Sequence, residues 1–139
     1  MREILFRGKR LDNGEWVEGW YQPETTIRHW DGRQETVGVT IAYKVEEGFL
    51  EDTLVDTSTV GQYTGLKDKH GKRIFEGDVA KVLQGKDKDI AYVGFENGAF
   101  MLYPKTGNIY ERTLWEYWYN DWDVEVIGNI TDNPELLEK

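Results

Sequence analysis

Apolar and polar residues alternate with period two over most of the chain, the pattern of strands that bury one face. Residues 3–21 read as a hairpin. Ile4 and Phe6 alternate with charged neighbours, and Asp12-Asn13-Gly14 supplies residues that tolerate the backbone of a tight turn. The return strand places Trp16, Glu18 and Trp20 on one face and Val17, Gly19 and Tyr21 on the other, and Pro23 is expected to end it. A second turn falls at Asp31-Gly32. Val37, Val39, Ile41 and Tyr43 then alternate with Gly38, Thr40 and Ala42, which predicts a half-buried strand. Glu46-Glu47-Gly48 turns the chain, and a short strand is expected near 53–56.

Residues 61–78, GQYTGLKDKHGKRIFEGD, are punctuated by glycines at 61, 65, 71 and 77. Asp68 to Gly71 has Asp first and Gly last, the preference of a type I turn. Ile74-Phe75 resumes an apolar strand. Glu76-Gly77-Asp78 breaks it, with Gly77 expected at positive φ, and Val79 to Leu83 follows as a buried strand. Ile90 to Glu96, Asn97-Gly98 and Ala99 to Tyr103 form the strongest hairpin pattern in the chain.

Trp115, Trp118, Tyr119 and Trp122 are spaced i, i+3, i+4 and i+7, and Thr113 with Glu116 makes a capping box. This predicts a short helix at about 113–120. Val124, Val126, Gly128 and Ile130 give a last strand. Asn133 is read as a cap, with Pro134 at the first position of a single turn over 135–139. The total is seven or eight short strands and one or two short helices. With this turn density, that predicts a mainly β protein, a small barrel or sandwich. At 139 residues the chain reads as one domain, 1–139, with 22–58 an inserted or subsidiary region.

Composition narrows the chemistry. The chain has no cysteine, which excludes disulfides, thiol nucleophiles and thiolate metal sites and fits a reducing cytoplasm. No apolar run approaches the roughly 20 residues of a membrane span. MREILFRGKR carries charge on both sides of its apolar stretch, unlike a signal peptide. Aromatic residues make up 14%, enough flat apolar surface to form a core in a chain that is 31% charged, with some rings left for interfaces. Net charge is −9, which argues against nonspecific coating of nucleic acid. The bases are clustered, however: Arg2, Arg7, Lys9 and Arg10 near the start, and Lys67, Lys69, Lys72 and Arg73 around the central turn. Residues 111–139 carry eight acids and two bases.

Four segments, REILFRGKRLDNGEWVEG, VGQYTGLKDKHGKRIFEGDVAKV, VGFENGAF and VIGNITDNPELLE, cover about half the chain in a fixed order. In these the chain resembles the YopX family of phage and prophage proteins. The resemblance implies a mainly β fold with an SH3-type barrel around EGDVAKV, additional strands, and a phage-encoded protein in the bacterial cytoplasm. It carries over no catalytic residue.

The residues offer little to catalysis. The chain has one serine, Ser58, and two histidines, His29 and His70, both in charged, turn-like surroundings. Asp87 with Asp89, or Asp121 with Asp123, could face a hard cation, but neither has the spacing of a calcium loop. No cofactor is expected. Two binding surfaces remain. Trp115, Trp118, Tyr119 and Trp122 serve either core packing or a protein interface, for a homo-oligomer or another protein. Arg7, Lys9, Arg10, Lys67, Lys69, Lys72 and Arg73 are candidates for nucleic-acid contact, although a lysine-rich turn also keeps a hairpin soluble and blocks edge pairing. The primary expectation is a non-enzymatic accessory protein acting through protein contacts. A nucleic-acid module is the alternative, and a carboxylate-dependent hydrolase a weaker one.

Overall fold

The computed structural model describes residues 3–46 and 48–138. The sequence readings on Arg2, Glu47 and Lys139, and on the side chain of Val37, lie outside the described residues. The chain divides into two compact units, Met1–Gln62 and Tyr63–Lys139. It is mainly β throughout, as the period-two pattern requires.

The first unit is an antiparallel meander of β1 (Phe6–Lys9), β2 (Trp16–Arg28), β3 (Gln34–Glu46) and β4 (Phe49–Leu54). After a 3-10 turn, η1 (Thr57–Thr59), the first residues of β5 (Gly61–Lys67) add beside β1 through Phe6↔Gln62 and Arg7↔Gly61. Gly8 opposes Val17 in the β1–β2 register. Val17, Ile41 and Val55 form the core, with Phe6, Val39, Tyr43 and Val60 packed around them. Complete burial of each such aliphatic side chain contributes about 1.5–3 kcal/mol.

Two expectations are corrected here. Pro23 does not end its strand. The β2–β3 register shifts between Gln22 and Thr25, so the proline falls in an irregularity where no ladder N–H is needed, and pairing resumes to Arg28↔Gln34. The strand read as half-buried is covered on both faces at its centre, because Thr40, Ile41 and Ala42 are all buried. The short strand expected near 53–56 is β4, which begins earlier. Val55 makes only a single bridge, to Arg10, and Asp56 caps η1 through the Ser58 N–H.

The second unit continues β5 into a pairing with β6 (Arg73–Phe75). It then builds a five-stranded antiparallel sheet, β10-β9-β8-β7-β11, from β7 (Asp78–Gln84), β8 (Asp87–Glu96), β9 (Ala99–Pro104), β10 (Arg112–Thr113) and β11 (Asp123–Asn129). The β8–β9 turn closes at Asn97-Gly98 with both residues at positive φ, 51° and 82°, as the dipeptide predicts. Gly77 sits at φ 92°. Its N–H donates to the Val93 carbonyl, and its own carbonyl accepts from Ile130.

This sheet is open. Its edge strand β10 is two residues long and passes directly into α1 (Leu114–Tyr119), so it never reaches β11. The expected SH3-type barrel therefore does not close. Ala80, Val82, Ala91, Val93, Leu102 and Val124 supply the sheet's share of the core, and Leu114 and Tyr117 of α1 pack onto it. At the chain's end, η2 (Pro134–Leu137) is a 3-10 turn. Asn133 does not cap it. Its side-chain oxygen accepts from the Asn129 N–H at 3.2 Å instead. No helix among the described residues is long and apolar enough to cross a membrane.

Candidate functional site

The turn after β5 is organised by one carboxylate. Asp68 is only 8% exposed. Its Oδ1 accepts from the N–H groups of His70 and Lys72, both at 2.9 Å, and its Oδ2 accepts from Val126 N–H of β11 at 3.0 Å. The Gly71 N–H closes the turn onto the Asp68 carbonyl at 3.0 Å, as the type I pattern expects. Burial acts to raise the pKa of Asp68. The donors from Val126, Lys72 and His70 together outweigh it and hold the carboxyl below its ordinary value. The turn is thereby fastened to β11, and a second bond, from Lys69 N–H to the Val124 carbonyl at 3.0 Å, reinforces it.

The aromatic helix stands where the spacing places it. Thr113 Oγ1 accepts from the Glu116 N–H at 3.2 Å, the capping half of the expected box. Its buried residues, however, are Leu114 and Tyr117. Trp115, Trp118 and Tyr119 are 54%, 58% and 67% exposed, and Trp122 is half-buried. Trp115 and Tyr119 stack on each other, ring centroids 4.9 Å apart. Trp122 meets Tyr117 edge-on at 5.0 Å, and the Arg112 guanidinium lies 5.6 Å from the Trp122 and Tyr110 rings while pairing with Glu116 at 3.0 Å. Core packing thus takes the positions beside the stripe and leaves most of the stripe in solvent.

These two features meet. A cleft of about 220 Å³ opens between the Asp68 turn and the end of α1. Lys67, Lys69, Trp118 and Trp122 line it, together with the buried Ile74 and Val124. Asp121 and Asp123 line its mouth and are exposed. The cleft therefore offers cations, anions and flat apolar surface within one unit.

The seven basic candidates fare differently. In the first unit, the Arg7 guanidinium lies 4.8 Å and the Lys9 ammonium 5.8 Å from the Trp16 ring. Arg10 pairs with Asp12 at 2.7 Å and donates to the Tyr43 hydroxyl at 3.1 Å. The Arg10–Asp12 hydrogen bond raises the arginine's pKa and lowers the aspartate's. In the second unit, Lys69 and His70 approach Glu125 at 3.7 and 3.5 Å, and Arg73 lies 5.7 Å from the Tyr63 ring. Lys67 and Lys72 are exposed.

Potential nucleophiles and metal ligands are occupied or scattered. Ser58 donates to Asp56 at 2.8 Å within the η1 cap, and His29 faces Glu35 at 3.3 Å. Asp89 is buried and accepts from the N–H groups of Ile90, Thr106 and Asn108 and from the Thr106 hydroxyl, so it presents nothing outward with Asp87. Burial acts to raise its pKa, and these donors overcome it and hold the carboxyl low. No three His, Asp or Glu side chains converge among the described residues.

The model of the family described as YopX protein matches residues 5–138, through both units. The chain belongs to the YopX family. No curated protein matches it. Among solved structures it is similar to protein EF1440 from Enterococcus faecalis, with a TM-score of 0.53 at 25% identity over 99% of this chain and 100% of that one. The segments on which the YopX resemblance rests are the β1–β2 hairpin, the β5–β6–β7 cassette, the β8–β9 hairpin and the β11–η2 end. They are turns and their flanking strands, a signature of fold. The aromatic helix of this YopX-family chain lies outside them.

Proposed function

We propose that this YopX-family chain is a phage- or prophage-encoded accessory protein of the host cytoplasm, without catalytic chemistry, that works through protein–protein contacts. The contact surface is the aromatic face of α1 with the adjoining cleft, and the first partner is a second copy of the chain. One observation carries this reading. A six-residue helix exposes Trp115, Trp118 and Tyr119 together while Leu114 and Tyr117 alone suffice to dock it. Grouped exposed aromatics with a charged rim match the make-up of interface centres. The helix also follows directly on β10, the edge of its sheet, where unpaired backbone is available to a partner.

Two of the three carboxylates buried among the described residues, Asp68 and Asp89, support the non-enzymatic side. A hydrolase of the carboxylate type needs one acid with a raised pKa. Asp68 and Asp89 are both held low by the N–H donors that make them structural. Sedimentation velocity over a hundredfold range of protein concentration tests the proposal. A reversible rise in mass, lost in Trp115→Ala/Trp118→Ala, is expected. A monomer at every concentration refutes self-association.

A further inference from the structure

The outer face of the five-stranded sheet carries a second pocket, remote from the aromatic helix in its chemistry. The register aligns Lys81 of β7 with Ile90 of β8, and the Lys105 N–H donates to the Ile90 carbonyl at 2.7 Å just beyond β9. Lys81, Ile90 and Lys105 thus form a row across β7, β8 and the residue that follows β9, and Lys88, two residues before Ile90, shares the face of Ile90. The opposite face of these strands is the core, where Ala80, Val82 and Ala91 are buried. The three lysines and Ile90 line a pocket of about 330 Å³, rimmed by Thr106 and Asn108. That volume lies at the small end of ligand sites.

Its charge is unbalanced. Lys81 and Lys88 form no ion pair with another described residue, and Lys105 donates to the Leu136 carbonyl at 3.2 Å. The acid opposite Lys81 across the β7–β11 ladder is Glu125, which Lys69 and His70 already engage. Asp89, the one carboxylate lining the pocket, is buried and saturated by donors from the 106–108 loop, and it serves to hold that rim in place. In a chain of net charge −9, three lysines lining one concavity with a single saturated carboxylate are a strong local reversal of sign.

We propose that this pocket binds a phosphate group, with Lys81, Lys88 and Lys105 neutralising it and Ile90 with the lysine stems supporting whatever the phosphate is attached to. The phosphate belongs either to a free phosphomonoester or to the backbone of a nucleic-acid strand, and one experiment separates them. The full chain is titrated calorimetrically with AMP and with a single-stranded oligothymidylate at two salt concentrations. Lys81→Gln/Lys88→Gln, Lys81→Arg/Lys88→Arg and the control Lys67→Gln/Lys72→Gln are titrated alongside.

Saturation by AMP alone assigns a phosphomonoester. Saturation by the oligonucleotide, with an affinity that falls as salt rises, assigns a strand backbone. In either case the glutamine pair should weaken binding at least tenfold. The arginine pair should stay within about threefold of wild type, since each cation is retained, and the control should not change. The proposal is overturned if neither probe saturates, if the glutamine pair binds as wild type, or if only the Lys67/Lys72 control loses binding. If the glutamine pair failed to fold, the single variants Lys81→Gln and Lys88→Gln would decide: each should weaken binding at least threefold, and wild-type binding by both would overturn the proposal.

Discussion

Replacing Asp68 with asparagine tests the reasoning on which the cleft's geometry rests. Asparagine is nearly isosteric, but one of its two acceptors becomes an NH₂ donor. If its carbonyl keeps the His70 and Lys72 N–H groups, its NH₂ faces the Val126 N–H, which then has no acceptor in a site where Asp68 is 8% exposed. An unsatisfied buried donor costs about 1–3 kcal/mol. The two retained bonds also lose their charge assistance, which accounts for roughly half the strength of such bonds. The expected loss is about 2–4 kcal/mol at pH 7.

Its pH dependence has a definite sign. The folded pKa of Asp68 lies below the ordinary 3.8, so its ionised form stabilises the protein above that value, and the contribution is lost as pH falls through the folded pKa. Urea unfolding of wild type and D68N, followed by tryptophan fluorescence, should give a constant deficit from pH 7 to about pH 5 and a shrinking one in more acid solution. Hydrogen exchange at the Val126 amide should speed up in D68N. A deficit below about 0.5 kcal/mol at pH 7, or one unchanged in strong acid, would refute the role assigned to this carboxylate.

Three further outcomes are expected. A Cβ at Gly19 would collide with the Ala42 carbonyl oxygen, so Gly19→Ala should push β2 off β3 and lower stability by about 1–3 kcal/mol in thermal or urea melts; an unchanged melt would mean the strands are spaced otherwise. The Tyr103 hydroxyl donates to Glu96 at 2.6 Å, and this bond, with the neighbouring negative charge, pushes its pKa up to about 12. Site-resolved NMR titration should find Tyr103 ionising that late, and Glu96→Gln should bring it back toward 10. Because Trp115 and Trp118 are exposed and Trp115 only stacks on Tyr119, Trp115→Ala and Trp118→Ala should each change folding stability by no more than about 1.5 kcal/mol in urea melts; a larger loss would place those rings in the core.

Local chemistry made most elements legible. Asn97-Gly98, the Thr113 cap and the Asp68–Gly71 turn each act over four residues or fewer, and each appears as its residues require. Readings that needed the partner strand went astray. Pro23 ends a strand only if its N–H position is paired, and the β3 register decides that it is not. Asn133 had the composition of a cap, but the Asn129 N–H competed for its oxygen. The helix period was visible, yet whether the 114/117 pair or the tryptophan stripe faces inward depends on how β10 delivers the chain to the sheet. At the cleft, the sequence marked Asp68 as a turn residue. Its third bond, to Val126, lies 58 residues away and left no trace in any local pattern. Lys81, Lys88 and Lys105 share no local pattern in the sequence, and only the strand register collects them.

The central claim is that the aromatic face of α1 is where this chain meets its partner. Amide NMR spectra of the full chain, recorded across a dilution series, test it most directly. Concentration-dependent shifts should concentrate on 114–120 and on the cleft residues Lys67, Lys69 and Trp122, and should vanish in W115A/W118A. Shifts confined to the β4 edge at Phe49 and Leu50, or spectra that do not change with concentration, would contradict it.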